Sequence, residues 1–288
     1  MTEDPATLHT TTREGVKLAW WERGEQFRGS APTMVFAHAT GFHGRVFDAI
    51  AEFFPKRHIL QLDMRGHGRS QSVRIEHWIE FARDIAAVLA AARVGAAEGI
   101  GHSMGAHSIL QCAADNPDLF SRLVLFDPVV LPPELYAGAG SIEDHPTSRR
   151  KNRFSGVEEM IDRFRSRDPY DLFDGRVFED YCRFGLLPAT DGEGMVLACA
   201  PETEASVYMT SRSNPGVLDA ARKLACQALV VRAKQLGMHD FKSSPTWPGL
   251  AAAIPNGRDL YRPDMTHFHP FQDPSDAARI IGEWMEVD

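Results

Sequence analysis

Gly99-Ile100-Gly101-His102-Ser103-Met104-Gly105 is the stretch on which the reading of this chain turns. It contains the pattern G-x-S-x-G. The apolar run before it ends at Ile100. The run after it, from Met104 through Ile109, Leu110 and Cys112, has helical length and stops near Asn116-Pro117. A serine between a strand and a helix occupies a sharp, strained turn that holds its Oγ out at the end of the sheet. The helix that begins there aims free N–H groups and the positive end of its dipole at the same place. Gly101 and Gly105 suit the turn because a Cβ at either position would crowd it. An ordinary Gly-Ser turn also satisfies so short a pattern, so the neighbouring segments have to carry the distinction.

Working outward, Thr33-Met34-Val35-Phe36-Ala37 is a continuous apolar run of the kind shown by a strand buried on both faces. It leads into His38-Ala39-Thr40-Gly41-Phe42, after which Phe47, Ile50, Ala51 and Phe54 recur at helical spacing. His58 to Leu62 is the next strand. It ends in the Gly-rich loop Asp63-Met64-Arg65-Gly66-His67-Gly68-Arg69-Ser70. Trp78, Phe81, Ile85, Val88 and Leu89 mark an amphipathic helix, and Leu123 to Phe126 is another buried strand ending at Asp127-Pro128. Val16 to Trp21 reads as a strand nearer the N-terminus. Strands that alternate with helices predict a mostly parallel sheet covered on both faces.

The pattern changes at Leu131. From there to about Arg222 no strand-like run recurs. Helical pieces at Val157 to Phe164, Val177 to Phe184 and Thr203 to Met209 are punctuated by prolines. This predicts a helical cap over residues 131–222, inserted in a core made of 1–130 and 223–288. The core resumes with the strand Ala228 to Arg232 and a weak strand at Arg258 to Tyr261. It closes with a helix carrying Ala277, Ile280, Ile281, Trp284 and Met285.

Composition excludes several classes. The chain of 288 residues is 43% hydrophobic and 24% charged, ordinary for a globular protein, and its formal net charge of −8 argues against nucleic acid. Its four cysteines have no C-x-x-C spacing, which predicts neither a zinc site nor a disulfide framework. No apolar run reaches membrane-spanning length, and Met1 to Pro5 lacks the basic and apolar regions of a signal peptide. The expectation is a cytoplasmic protein that acts on a small molecule with no cofactor, no metal and no membrane partner. Monomer and homodimer both remain open.

The segments His38-Ala39-Thr40-Gly41-Phe42, Asp63 to Ser70, Gly101-His102-Ser103-Met104-Gly105 and Thr266-His267-Phe268, in this order, resemble the signatures of the α/β-hydrolase superfamily over nearly the whole chain. The resemblance implies an α/β fold: an eight-stranded, mostly parallel sheet flanked by helices, with a lid inserted after the sixth strand. It implies a nucleophile elbow at Ser103 and a catalytic base at His267, just before the last helix. A serine hydroxyl is a poor nucleophile until a base takes its proton, and an imidazole titrating near neutrality can do so and hand the proton on. His269, two residues away, is the competing histidine. His38 and His102 are expected to support loops, and His107 to pack or to line the pocket.

The acid that orients the imidazole is less plain. Many relatives carry it about four residues after the strand that here is Ala228 to Arg232, and that slot holds Leu236. Asp127, at the end of an earlier strand where haloalkane dehalogenases place theirs, is the expected acid, and Asp240 is the alternative. The oxyanion donors are expected to be the backbone N–H groups of Met104 and Thr40. Serine rather than aspartate at the elbow excludes dehalogenase and epoxide hydrolase chemistry. The expected activity is therefore hydrolysis of a carboxylic ester or lactone. The alternatives are a carbon–carbon hydrolase or thioesterase on the same residues, or a receptor of the same fold without turnover. The run Arg149-Arg150-Lys151, with Arg153, is either a solvated face or a site for an anionic substrate.

Overall fold

In the computed structural model, which describes residues 5–137, 144–237 and 240–286, the chain opens with a hairpin of Thr7–Arg13 (β1) and Val16–Arg23 (β2). Met1 to Asp4, most of the terminus read above, lies outside the described residues. Met34–Ala37 (β3) follows, then a short helical turn, Asp48–Ala51 (α1), and Ile59–Asp63 (β4). Ile79–Ala91 (α2), Ala97–His102 (β5), Met104–Asp115 (α3) and Phe120–Phe126 (β6) complete the first half.

The inserted region holds Arg153–Phe154 (β7), Val157–Phe164 (α4), Gly175–Phe184 (α5), Leu186–Pro188 (β8), Met195–Leu197 (β9) and Pro201–Met209 (α6). Val217–Lys223 (α7), Gln227–Ala233 (β10), Leu250–Ala253 (α8), Gly257–Arg262 (β11), His269–Gln272 (α9) and Pro274–Met285 (α10) then end the chain.

The main sheet has eight strands in the order β1-β2-β4-β3-β5-β6-β10-β11, and from β4 to β11 all pairs are parallel. Side chains of β3 alternate between two cores. Val35 and Ala37 join α2, α3, α7 and α8 on one face, while Met34 and Phe36 join α1 and α10 on the other. Burial on both faces is why these strands read as unbroken apolar runs. The chain winds one way from β3 to β4 and the other way from β3 to β5. The crevice therefore opens beyond the carboxyl ends of β3 and β5, where α/β sheets bind ligands.

The structure departs from the sequence reading in three places. The cap is inserted after β6 as expected, but it is not purely helical: β7, β9 and β8 form a small antiparallel sheet. Strands of two or three residues are too short to show a period. The helix expected from Phe47 to Phe54 is a 3₁₀ turn, Gly44–Phe47, followed by the single turn of α1. In addition, α7 packs with Val217, Leu218, Ala220 and Ala221 in the core cluster that contains α3.

Candidate functional site

The carboxyl end of β5 delivers Ser103 directly into the first turn of α3. Its backbone has φ 59° and ψ −117°, a conformation that L-residues rarely adopt. The turn is held by its neighbours. The Ser103 N–H donates to the Phe126 carbonyl at 2.9 Å, and the Ser103 carbonyl accepts from His107 at 3.1 Å and Val129 at 3.2 Å. The flanking glycines are steric necessities. A Cβ on Gly101 would lie 2.4 Å from the Ala106 Cα, and one on Gly105 would lie 2.1 Å from the Ala37 carbonyl oxygen.

His267 enters from the loop between β11 and α9. Its Nε2 lies 3.0 Å from Ser103 Oγ and its Nδ1 lies 2.6 Å from Asp127 Oδ2. An ionised carboxylate only accepts, so Nδ1 carries the proton and donates it to Asp127, and Nε2 is left to accept from the serine hydroxyl. The His267 backbone is tied at both ends. Its N–H donates to the Lys242 carbonyl at 2.9 Å, and its own carbonyl accepts from His102 Nε2 at 2.7 Å. Burial, aided by the neighbouring His267, pushes the His102 imidazole well below its usual pKa, so it stays neutral. The residue preceding the serine thus fixes the backbone of His267.

Asp127 is buried and has a left-handed φ of 46°. Oδ1 accepts from the Ala233 N–H at 3.1 Å, the Ser244 hydroxyl at 2.5 Å and the Thr246 hydroxyl at 3.1 Å. The loop after β10, where many relatives carry the acid, supplies hydroxyl donors here instead. These donors gather on Oδ1, while Oδ2 faces the imidazole. Neither Ser244 nor Thr246 was singled out in the sequence. Nothing in a Ser-Ser-Pro-Thr loop signals a partner more than a hundred positions away.

Other expected residues lie elsewhere. His269 pairs with Asp276 at 2.9 Å and has no contact with Ser103. Asp240 is exposed at the rim of the cavity, where its carboxylate accepts the Lys242 N–H at 2.9 Å. Met104 is the first residue of α3, so its N–H has no partner within the helix. Across the crevice, Gly41 donates to His67 Nε2 at 3.1 Å and Phe42 to the Ala39 carbonyl at 3.2 Å. The Thr40 N–H between them has no partner among the described residues. The Asp63–Ser70 loop closes on itself. Asp63 accepts from Gly44 and Arg69 at 2.8 Å each, and through His67 the loop braces Gly41.

Ser103 and His267 line a cavity of about 580 Å³, with Trp78, Val129, Leu131 and Leu135 among its apolar walls. A second cavity of about 310 Å³ adjoins it beneath the cap. Thr40, Phe42, Tyr208, Phe241 and Phe268 line both.

The model of the alpha/beta hydrolase family matches residues 34–280. The bifunctional esterase/perhydrolase DCH of Acinetobacter calcoaceticus is 29% identical over 168 residues, covering 57% of this chain and 58% of that protein. The 2-(acetamidomethylene)succinate hydrolase of Mesorhizobium japonicum is 32% identical over 102 residues, covering 35% of this chain and 37% of that one. The alignments therefore span little more than half of these relatives at most. Among solved structures, an E-2-(acetamidomethylene)succinate hydrolase superposes with a TM-score of 0.76 at 18% identity, over 98% of this chain and 100% of that one. The enol-lactonase of Burkholderia xenovorans LB400 gives 0.70 at 18% identity, over 97% and 100%. Among the described residues, no helix is long and apolar enough to cross a membrane.

Proposed function

The chain belongs to the α/β-hydrolase family, and from that premise we propose that it hydrolyses a small organic acyl compound, in the first place a carboxylic ester or lactone, through an acyl-enzyme on Ser103. The observation that carries the reading is the single line of contacts from Ser103 Oγ to His267 and on to Asp127, at 3.0 and 2.6 Å. In this reading His267 takes the serine proton at Nε2 as Oγ attacks the acyl carbon. Asp127 holds the Nδ1 proton and offsets the charge that the ring acquires. The tetrahedral oxyanion falls between the N–H groups of Met104 and Thr40, on opposite sides of the crevice. His267 then passes its proton to the leaving group. A water molecule, activated by the same imidazole, releases the acid and restores the serine. The segment between β6 and α7 acts as the cap, and the remaining core, α7 included, carries these groups.

A second reading keeps the same three residues and changes the bond to a thioester, a carbon–carbon bond or a related carbon–nitrogen bond. The sequence shared with a 2-(acetamidomethylene)succinate hydrolase favours it.

Exposure to a fluorophosphonate, followed by intact-mass and peptide analysis, tests the common core. The expected adduct is on Ser103, is absent in Ser103→Ala, and blocks turnover of p-nitrophenyl esters. A protein that stays unlabelled, or turnover that survives in Ser103→Ala at the parent rate, would refute an activated serine. Ligand binding without labelling would point to a receptor of this fold.

A further inference from the structure

The basic run in the cap divides on folding. Arg149 pairs with Asp144, Lys151 with Glu159 and Arg153 with Asp191, all on the outer surface. Arg150 alone turns inward. One terminal nitrogen, Nη1, donates to the buried carboxylate of Glu204. The other, Nη2, lies 3.5 Å from the hydroxyls of both Tyr170 and Tyr181, which are 3.0 Å from each other. At 3.5 Å these are long contacts, so Nη2 and Nε keep donor capacity that the protein does not use well. Burial pushes the Glu204 carboxyl up, against the pull of Arg150.

Arg150, Glu204 and Tyr170 form one wall of the second cavity of about 310 Å³. Arg167 lines its solvent-exposed side and has no ion-pair partner among the described residues. Its neighbour Asp168 is taken by Lys242 at 3.0 Å. The cavity thus holds one neutralised guanidinium with spare donors and a second that is not neutralised. A pair that served only to satisfy Glu204 would need neither the open space nor the second arginine. Glu204 also presses on the loop that carries Thr40, since a Cβ on Gly41 would sit 2.6 Å from Glu204 Oε1.

We infer that the substrate carries a second, non-reacting carboxylate, which enters the second cavity and is held by Arg150 and Arg167 while its acyl carbon lies at Ser103. The inference rests on the acyl-enzyme reading, because the two cavities adjoin through the shared lining residues Thr40, Phe42, Tyr208, Phe241 and Phe268. A planar guanidinium with free donors matches a carboxylate edge, and charge-assisted bonds of this kind discriminate by roughly ten- to a hundredfold.

The test compares kcat/KM for monoaryl esters of succinic, glutaric and adipic acid with that for an aryl pentanoate, with the uncatalysed rates subtracted. The readout is the ratio of acid ester to neutral ester. The parent protein is expected to favour at least one of the acid esters by about tenfold or more through KM. That ratio is expected to collapse toward unity in Arg150→Met and to fall part of the way in Arg167→Met. The double variant Arg150→Met with Glu204→Gln leaves no unpaired buried charge and gives the same reading if the single variant folds poorly. A parent ratio near unity at every chain length, or a ratio unchanged in the arginine variants, overturns the inference. If no ester of either kind turns over, the acyl-enzyme reading fails instead. Calorimetric titration of glutarate into Ser103→Ala then decides the carboxylate site: binding that Arg150→Met abolishes supports it, and no binding overturns it.

Discussion

Acidification should destabilise this protein through a histidine far from its surface. His107, on α3, has both ring nitrogens committed. Nδ1 donates to the Val129 carbonyl at 2.8 Å, and Nε2 accepts from the Asn214 amide at 3.1 Å. A proton on Nε2 would set two donors against each other in a fully buried site. Burial pushes the pKa down to about 4, with the bond to Val129 working the other way. In the unfolded chain the same ring titrates near about 6.5. Between those values the unfolded chain binds a proton that the folded chain refuses. Stability is therefore full above the unfolded pKa, falls as the pH drops through it, and levels off below the folded value. Each unit in that window is worth about 1.4 kcal/mol, so moving from pH 8 to pH 5 costs about 2 kcal/mol through this group. Urea unfolding of the parent and His107→Gln at both pH values isolates it. The variant should be less stable at pH 8 but should lose about 2 kcal/mol less on acidification. His67 and His43, held down to about 4 and about 3 by the same cause, remain in both proteins and cancel in the difference. If parent and variant lose the same amount, His107 accepts its proton in the folded state without penalty, and the argument fails.

Further outcomes follow from the site. Asp127→Asn should keep the fold and lower kcat by about 10³- to 10⁴-fold, because the amide no longer holds the imidazole in the productive tautomer. A loss under tenfold, or a comparable loss in Asp240→Asn, would move the orienting role elsewhere. Thr246→Val removes a hydroxyl whose single proton is shared between the Pro128 carbonyl at 2.9 Å and the Asp127 carboxylate at 3.1 Å, and should cost about 1–3 kcal/mol in chemical denaturation at neutral pH; no measurable change would count against it. Gly105→Ala should be far more damaging, because its Cβ meets the Ala37 carbonyl at 2.1 Å and the His38 carbonyl at 2.7 Å. A loss of about 3 kcal/mol or more is expected from overpacking against fixed backbone, and an unchanged melting temperature would show that α3 can shift off β3.

The parts of the fold that can be read from the sequence are those where burial imposes a pattern. β3 and the Leu123–Phe126 half of β6 lie between two layers and appear as apolar runs, whereas β5 carries Glu98 and His102 and is marked by the elbow that follows it. Gly101 and Gly105 mark the elbow because no larger residue fits there. β1 is different: Thr7–Arg13 is an edge strand, largely exposed, and its threonines carry no alternation to detect. The segment after His43 has helical spacing, yet α1 stops after one turn, just short of Phe53-Phe54-Pro55.

In the candidate site, chain order alone suggests Ser103 and His267. The choice between Asp127 and Asp240 depends on how the loop after β10 folds, and no local pattern encodes that. The hydroxyls of Ser244 and Thr246 reach Asp127 across 117 and 119 positions, a pairing that only the completed sheet creates. Arg150 stands in a row of like charges, and only the packed cap separates the inward residue from its surface neighbours.

The strand end that bears Asp127 is also where the chain leaves the sheet for the cap, and its moorings have a mechanical result. The Asp127 N–H is fastened to the Val231 carbonyl at 2.7 Å, Val129 to the Ser103 carbonyl at 3.2 Å, and the Trp247 N–H to the Val130 carbonyl at 2.7 Å. These ties work as a cable clamp works on a cord. A pull along the chain from the insertion would load the Val130 bond before it reached the Asp127 side chain.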